Sequence, residues 1–134
     1  MRTLLFTLII LTVQAQAEIL VVGNAKSGVA AITPQQAEDI FMGRAHGFPN
    51  GSPVHPYDQF APVRAQFYRR LVARSLEQID AYWARIVFTG QDSPPLQLAS
   101  DEEVIETVRK KNSAIGYVSK PFSAKDVRVL LVLP

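Results

Sequence analysis

The sequence predicts an α/β fold in three layers: a mostly parallel sheet with helices on both faces. Short β-branched apolar runs alternate along the chain with stretches of helical periodicity. The runs are continuous rather than alternating in polarity, and such strands need cover on both faces of their sheet. Three of the helical stretches open on a capping signature. The composition agrees, since 134 residues with 48% hydrophobic and 19% charged describe one globular domain. Intrinsic disorder and coiled coil are excluded. With no cysteine there is no disulfide framework and no thiol nucleophile. A net charge of +2 is too small to point to nucleic acid.

The first segment stands apart. Met1-Arg2-Thr3 is a short basic start, and residues 4–13 are apolar except for Thr7 and Thr12. Ala15 and Ala17 then fit the small-x-small pattern of signal cleavage. The apolar run is half the roughly 20 residues that a bilayer span requires. Residues 1–17 are therefore expected to be a cleaved secretory signal, and residues 18–134 the mature domain, with no membrane span and a periplasmic destination. Arg2 leaves with the leader, so a net charge of +2 becomes +1.

In the mature chain, Ile19-Leu20-Val21-Val22 reads as a buried strand. Thr33-Pro34-Gln35-Gln36 has an N-cap, a Pro at the first helical position and a capping-box Gln. That helix carries Ala37, Ile40 and Phe41 on one face, and Gly43 sits where a left-handed cap belongs. Asn50-Gly51 marks a turn before a short strand at residues 54–57. A helix from Pro62 to about Arg74 buries Val63, Phe67 and Leu71. Ser75-Leu76-Glu77-Gln78 opens the next, with Ile79, Tyr82, Trp83, Ile86 and Val87 as its apolar stripe and Gly90 at its end. Residues 91–99 read as a loop around Pro94-Pro95. Ser100-Asp101-Glu102-Glu103 begins the last helix, with acids in the first turn and Arg109-Lys110-Lys111 in the last, as the helix dipole favours. Residues 114–118 and 127–133 close the sheet. Phe41, Phe67, Trp83 and Ile115 are expected in the core.

Catalytic patterns find no support. His46 and His55 stand nine apart with Asp58 beyond, but both occupy Gly/Pro-rich loops and match no ligand spacing, so no metal is assigned. There is no Gly-x-Ser-x-Gly elbow, no HExxH and no P-loop. Glu38-Asp39 and Glu102-Glu103 are explained as helix charges. The chain is expected to be no enzyme and to carry no cofactor.

The segment from Asp58 to Arg74 is more informative. With Pro62 at the first helical position, the cap falls on Ala61, which has no side-chain acceptor. Free N–H donors at a helix start attract anions. Arg64 at the third position opposes the dipole unless an anion sits there. The other reading stays open: Asp58 or Gln59 loops back as the cap, and Arg64 faces solvent or pairs with Asp58. Arg69, Arg70 and Arg74 read as solvated cations.

The strings ITPQQAEDIFMGR, VHPYDQ, VRAQFYRRLV, YWARIVFTGQDSPP and SDEEVIETVRKKNSAIGYV together resemble the phosphate-binding-protein-like domain of ABC transporter substrate-binding proteins, a type 2 periplasmic binding fold. The resemblance runs from about Ile19 to Val118. It implies one lobe of such a protein: an exported solute-binding-type chain recognising a small oxyanion, phosphate among them, linked to ABC-type transport. The alternative it leaves is a ligand-free envelope adaptor that has kept the fold. The ligand-binding residues it points to are Asp58, Gln59, Arg64, Thr89 and Gly90. Two departures stand out. Full receptors of this class have two lobes, and their Ser-Gly-Thr anion-binding turn is replaced here by Tyr57-Asp58-Gln59-Phe60-Ala61-Pro62.

Overall fold

A computed structural model describes residues 3–10, 17–60 and 62–134. Residues 3–10 form no helix or strand and lie exposed, and the first core residue is Ile19. Among the described residues, nine strands and α-helices follow in the order β1 (Ile19–Asn24), α1 (Pro34–Phe41), β2 (His55–Gln59), α2 (Val63–Val72), α3 (Leu76–Phe88), β3 (Leu96–Leu98), α4 (Asp101–Lys110), β4 (Ala114–Val118) and β5 (Val127–Leu133), with one short 3-10 turn at Ala25–Ser27 after β1. Among the described residues, no helix is long and apolar enough to cross a membrane.

The five strands make one sheet in the order β3-β2-β4-β1-β5. β2 is parallel to both its neighbours, and β1 is antiparallel to both of its own. Four strands therefore point one way and β1 alone points back, which is the mostly parallel sheet expected. Two apolar clusters cover it. Ile40, Phe41, Phe67, Ile79 and Trp83 of α1–α3 pack on one face with Ile19, Val21, Ile115 and Tyr117. Val104 and Val108 of α4 pack on the other with Val22, Ala114 and Val118. The alternation of β1 and β4 side chains between the clusters is the period-two geometry of a strand. The four expected core residues Phe41, Phe67, Trp83 and Ile115 are all buried.

Local signals behave as their chemistry dictates. Thr33 and Ser75 each form a complete capping box, and Gly43 takes φ +75° behind α1. At α4 the box is altered. Ser100 Oγ accepts from the Glu103 N–H, but the Glu103 carboxylate reaches one residue further back, to the Ala99 N–H at 2.7 Å. At Gly116 a Cβ would lie 2.6 Å from Val104 Cγ1, so α4 rests directly on the backbone of β4.

Four expectations need correction. Residues 96–98, read as loop, form β3, because the free edge of β2 offers them backbone partners from Tyr57 to Gln59. The strand expected at 54–57 runs instead from His55 to Gln59. Val87 is half exposed, in the last turn of α3 beside the exposed Phe88. α2 begins at Val63 rather than Pro62, so Pro62 holds the cap position and Arg64 is the second helical residue. The cap expected at Ala61 lies outside the described residues.

Candidate functional site

β2 leaves the sheet toward α2 on one face, while the chain reaches β4 from α4 on the other. The two strands are paired only over their first two residues, His55 with Ala114 and Pro56 with Ile115. Beyond that ladder, side chains bridge the two strands. The Gln59 N–H donates to Tyr117 Oη at 3.0 Å, and Gln59 Nε2 donates to the Tyr117 carbonyl at 2.8 Å. A crevice outside the carboxyl ends of parallel strands, where crossovers diverge, is where open α/β sheets bind ligands.

Asp58 and Gln59 point to opposite faces of β2, as consecutive strand residues must. Asp58 turns toward the α1–α3 layer and is fully buried. The Tyr68 hydroxyl donates to its carboxylate at 2.9 and 3.1 Å, the Tyr117 hydroxyl at 3.0 Å, and Arg64 Nε at 3.3 Å. Burial nevertheless dominates and lifts the Asp58 pKa to about 6, against the pull of the two hydroxyls and the guanidinium. Burial also raises both tyrosines, which stay neutral and able to donate. Tyr117 stacks on Phe67 at 3.8 Å between ring centroids, which fixes its hydroxyl over Asp58.

Arg64 rises from the first turn of α2, with its side chain 8% exposed. Its Nη2 donates to Asp80 of α3 at 2.9 Å, and Asp80 is 63% exposed. Burial works against the guanidinium charge, but Asp80 and Asp58 outweigh it and hold its pKa above the ordinary value. The start of α2 has no side-chain cap, and no acid in its first turn. Neither Asp58 nor Gln59 loops back to supply one.

Gln59 faces α4. Its Nε2 also donates to Asp101 Oδ1 at 2.7 Å, and Asp101 accepts from the N–H groups of Ser119 and Lys120 and from Ser119 Oγ, all within 3.2 Å. Asp101 thus ties β2, α4 and the end of β4 together where the β2–β4 ladder stops. Its sequence position marks it only as a first-turn helix charge. Tyr68, Asp80 and Tyr117 also escape sequence reasoning. The one available signal is that a hydroxyl set in an apolar run needs a partner once buried.

Thr89 and Gly90 lie elsewhere. Thr89 caps the end of α3, with its Oγ1 donating to the Ile86 carbonyl at 2.8 Å, and Gly90 takes φ +71°. Nine residues of helical rise place Thr89 roughly 13 Å along α3 from Asp80. Among the described residues, neither bonds to Asp58, Gln59 or Arg64. At the amino end of β2, His46 Nε2 stands 3.7 Å from Asp92, and His55 Nδ1 stands 3.1 Å from Ser113 Oγ. The described residues contain no group of three or more side chains placed to hold a metal ion.

The fold is an α/β unit with helices on both faces of its sheet and a polar cluster at the carboxyl end of β2, the end at which open α/β sheets bind ligands. Among solved structures the chain is similar to a putative phosphate ABC transporter substrate-binding protein with bound phosphate from Clostridium perfringens, at TM-score 0.65 and 16% identity. It is similar also to an ABC-type phosphate transport receptor from Vibrio cholerae, at 0.64 and 16%, and to a possible phosphate binding protein from Planctomyces limnophilus, at 0.55 and 13%. The matches cover 85%, 86% and 86% of this chain but 45%, 46% and 42% of those proteins, so it spans under half their length. At these identities the likeness is one of fold. No protein-family model matches the chain, and no curated protein matches its sequence.

Proposed function

We propose that this chain is a recognition lobe of the solute-binding class, not a catalyst, that acts in the periplasm on a small oxyanion such as phosphate and serves ABC-type uptake. The observation that carries the anion is Arg64, an arginine at a helix start with no side-chain cap, beside the carboxyl end of β2. Asp58 holds its Nε from the buried side and sets its direction. Asp80 occupies the outward Nη2 as an internal competitor. Asp80 is the solvent-exposed partner of the two, so an oxyanion can displace it from Arg64 while the buried Asp58 stays in place. A single open lobe excludes water from one side only, and the expected dissociation constant is on the order of 0.1–1 mM.

A second role has an observation of its own. Arg64 is already neutralised by two carboxylates, and the donors around Asp101 are likewise filled by the protein itself. A cluster whose polar groups are already satisfied suits an envelope adaptor that binds a protein and no solute. Calorimetry with phosphate and sulfate separates the two, using the unmutated protein and Asp80→Asn. The oxyanion role predicts heat at millimolar anion and tighter binding when Asp80 loses its charge. Absence of heat in both proteins leaves the adaptor.

A further inference from the structure

Around Arg64 the fold sets two carboxylates against one guanidinium, so with both acids ionised the cluster holds more negative charge than positive. The two acids are not equivalent. Asp80 reaches water and can turn away from Arg64, whereas Asp58 is fully buried. Arg64 and Tyr68 of α2 and Tyr117 of β4 hold it in place, and α3 presents Asp80 through Arg64. Other ionisable groups nearby face elsewhere. Glu38 and Asp39 of α1 pair with Arg44, and Asp101 of α4 is bonded to Gln59 and Ser119. His46 and His55 stand at the amino end of β2, beside Asp92 and Ser113. Asp58 can therefore lose its charge only by taking a proton. Its neutral form has a partner in place, because the Tyr68 hydroxyl at 2.9 Å can accept as well as donate.

We infer that oxyanion binding at Arg64 is coupled to uptake of a proton from water by the Asp58 carboxyl, so that the site binds its anion more tightly in mild acid. The inference rests on the proposal that Arg64 takes an oxyanion, and adds the regulation of that site. An anion on Nη2 displaces Asp80 and sets a new negative charge across the guanidinium from Asp58. That charge disfavours the Asp58 carboxylate and favours its neutral form. Coupling of this kind is reciprocal, so the proton strengthens anion binding by the factor by which the anion strengthens proton binding. Burial has lifted the Asp58 pKa to about 6, which brings the neutral form within reach of mild acid.

The test is sulfate calorimetry at pH 5, pH 6.5 and pH 7.5, because sulfate does not itself titrate over this range. Each titration is run in two buffers of different ionisation enthalpy, and the difference in heat counts the protons taken up. The unmutated protein should bind about 5-fold or more tightly at pH 5 than at pH 7.5, and take up part of a proton per sulfate at pH 6.5. Asp58→Asn should bind with one affinity at every pH and take up none. His46→Gln/His55→Gln, changed only at exposed side chains, should keep the uptake in full, and this arm needs no substitution in the core. A pH dependence that survives in Asp58→Asn, or is lost with the two histidines, puts the proton elsewhere and overturns the inference. Binding by the unmutated protein at one affinity, with no proton taken up, also overturns it but leaves the anion at Arg64 standing. Absence of heat in all three proteins at every pH removes both.

Discussion

Replacing Asp58 by Asn should remove a pH dependence of stability that the unmutated protein carries between about pH 4 and pH 6. Burial lifts the Asp58 carboxyl from 3.8 to about 6 in the folded chain. In the unfolded chain it returns to about 3.9. Between these values the folded state holds a proton that the unfolded state has released. Stability therefore falls as pH rises through the window, and is greatest below it. A difference of about two pKa units, at 1.36 kcal/mol each, amounts to about 3 kcal/mol lost by pH 7. Asn has the same shape and does not titrate. It leaves Arg64 with only the exposed Asp80, and this adds a constant cost without adding a slope. Urea denaturation of both proteins at pH 4 and pH 7 measures the difference, with equal m-values as the check that the unfolded states match. The drop from pH 4 to pH 7 should be larger in the unmutated protein by up to about 3 kcal/mol. Parallel pH dependences would refute the reasoning. They would mean that Arg64 and the two tyrosines outweigh burial.

Two further outcomes are expected. Phe67 is fully buried, stacked on Tyr117 and edge-on to Phe41 at 4.7 Å, so Phe67→Ala should cost about 3–5 kcal/mol in chemical denaturation, and a loss below about 1 kcal/mol would show that α2 is misplaced. Cleavage between Ala17 and Glu18 should make Glu18 the N-terminus of the exported protein by mass spectrometry, and retention of residues 1–17 would contradict it.

Much of the fold is legible in local chemistry. The caps at Thr33, Ser75 and Ser100 are side-chain oxygens satisfying the N–H groups three residues on, so the signal and its cause lie within four residues. β4 and β5 run over the residues that their apolar runs predict, because burial on both faces, or on one, selects them directly. β3 is different. Leu96-Gln97-Leu98 alternates over only three residues, too short a pattern to mark a strand, and it becomes one because β2 presents an open edge.

The polar cluster divides in the same way. Asp58 and Arg64 are six residues apart, and the sequence already presents their pairing as one of two arrangements. Tyr117 lies 59 residues from Asp58, and Asp101 lies 42 from Gln59; no local pattern links them. What joins them is the order β3-β2-β4 and the early stop of the β2–β4 ladder. By itself the sequence determined that this is an α/β lobe, with a helix start at residues 62–64 that lacks a cap of its own. The tertiary structure alone decided that Arg64 is buried between two carboxylates while, among the described residues, Arg69 and Arg70 join no ion pair. Helix periodicity places an arginine on a face, but only the packing of α2 against β2 and α3 determines which face meets carboxylates and which meets water.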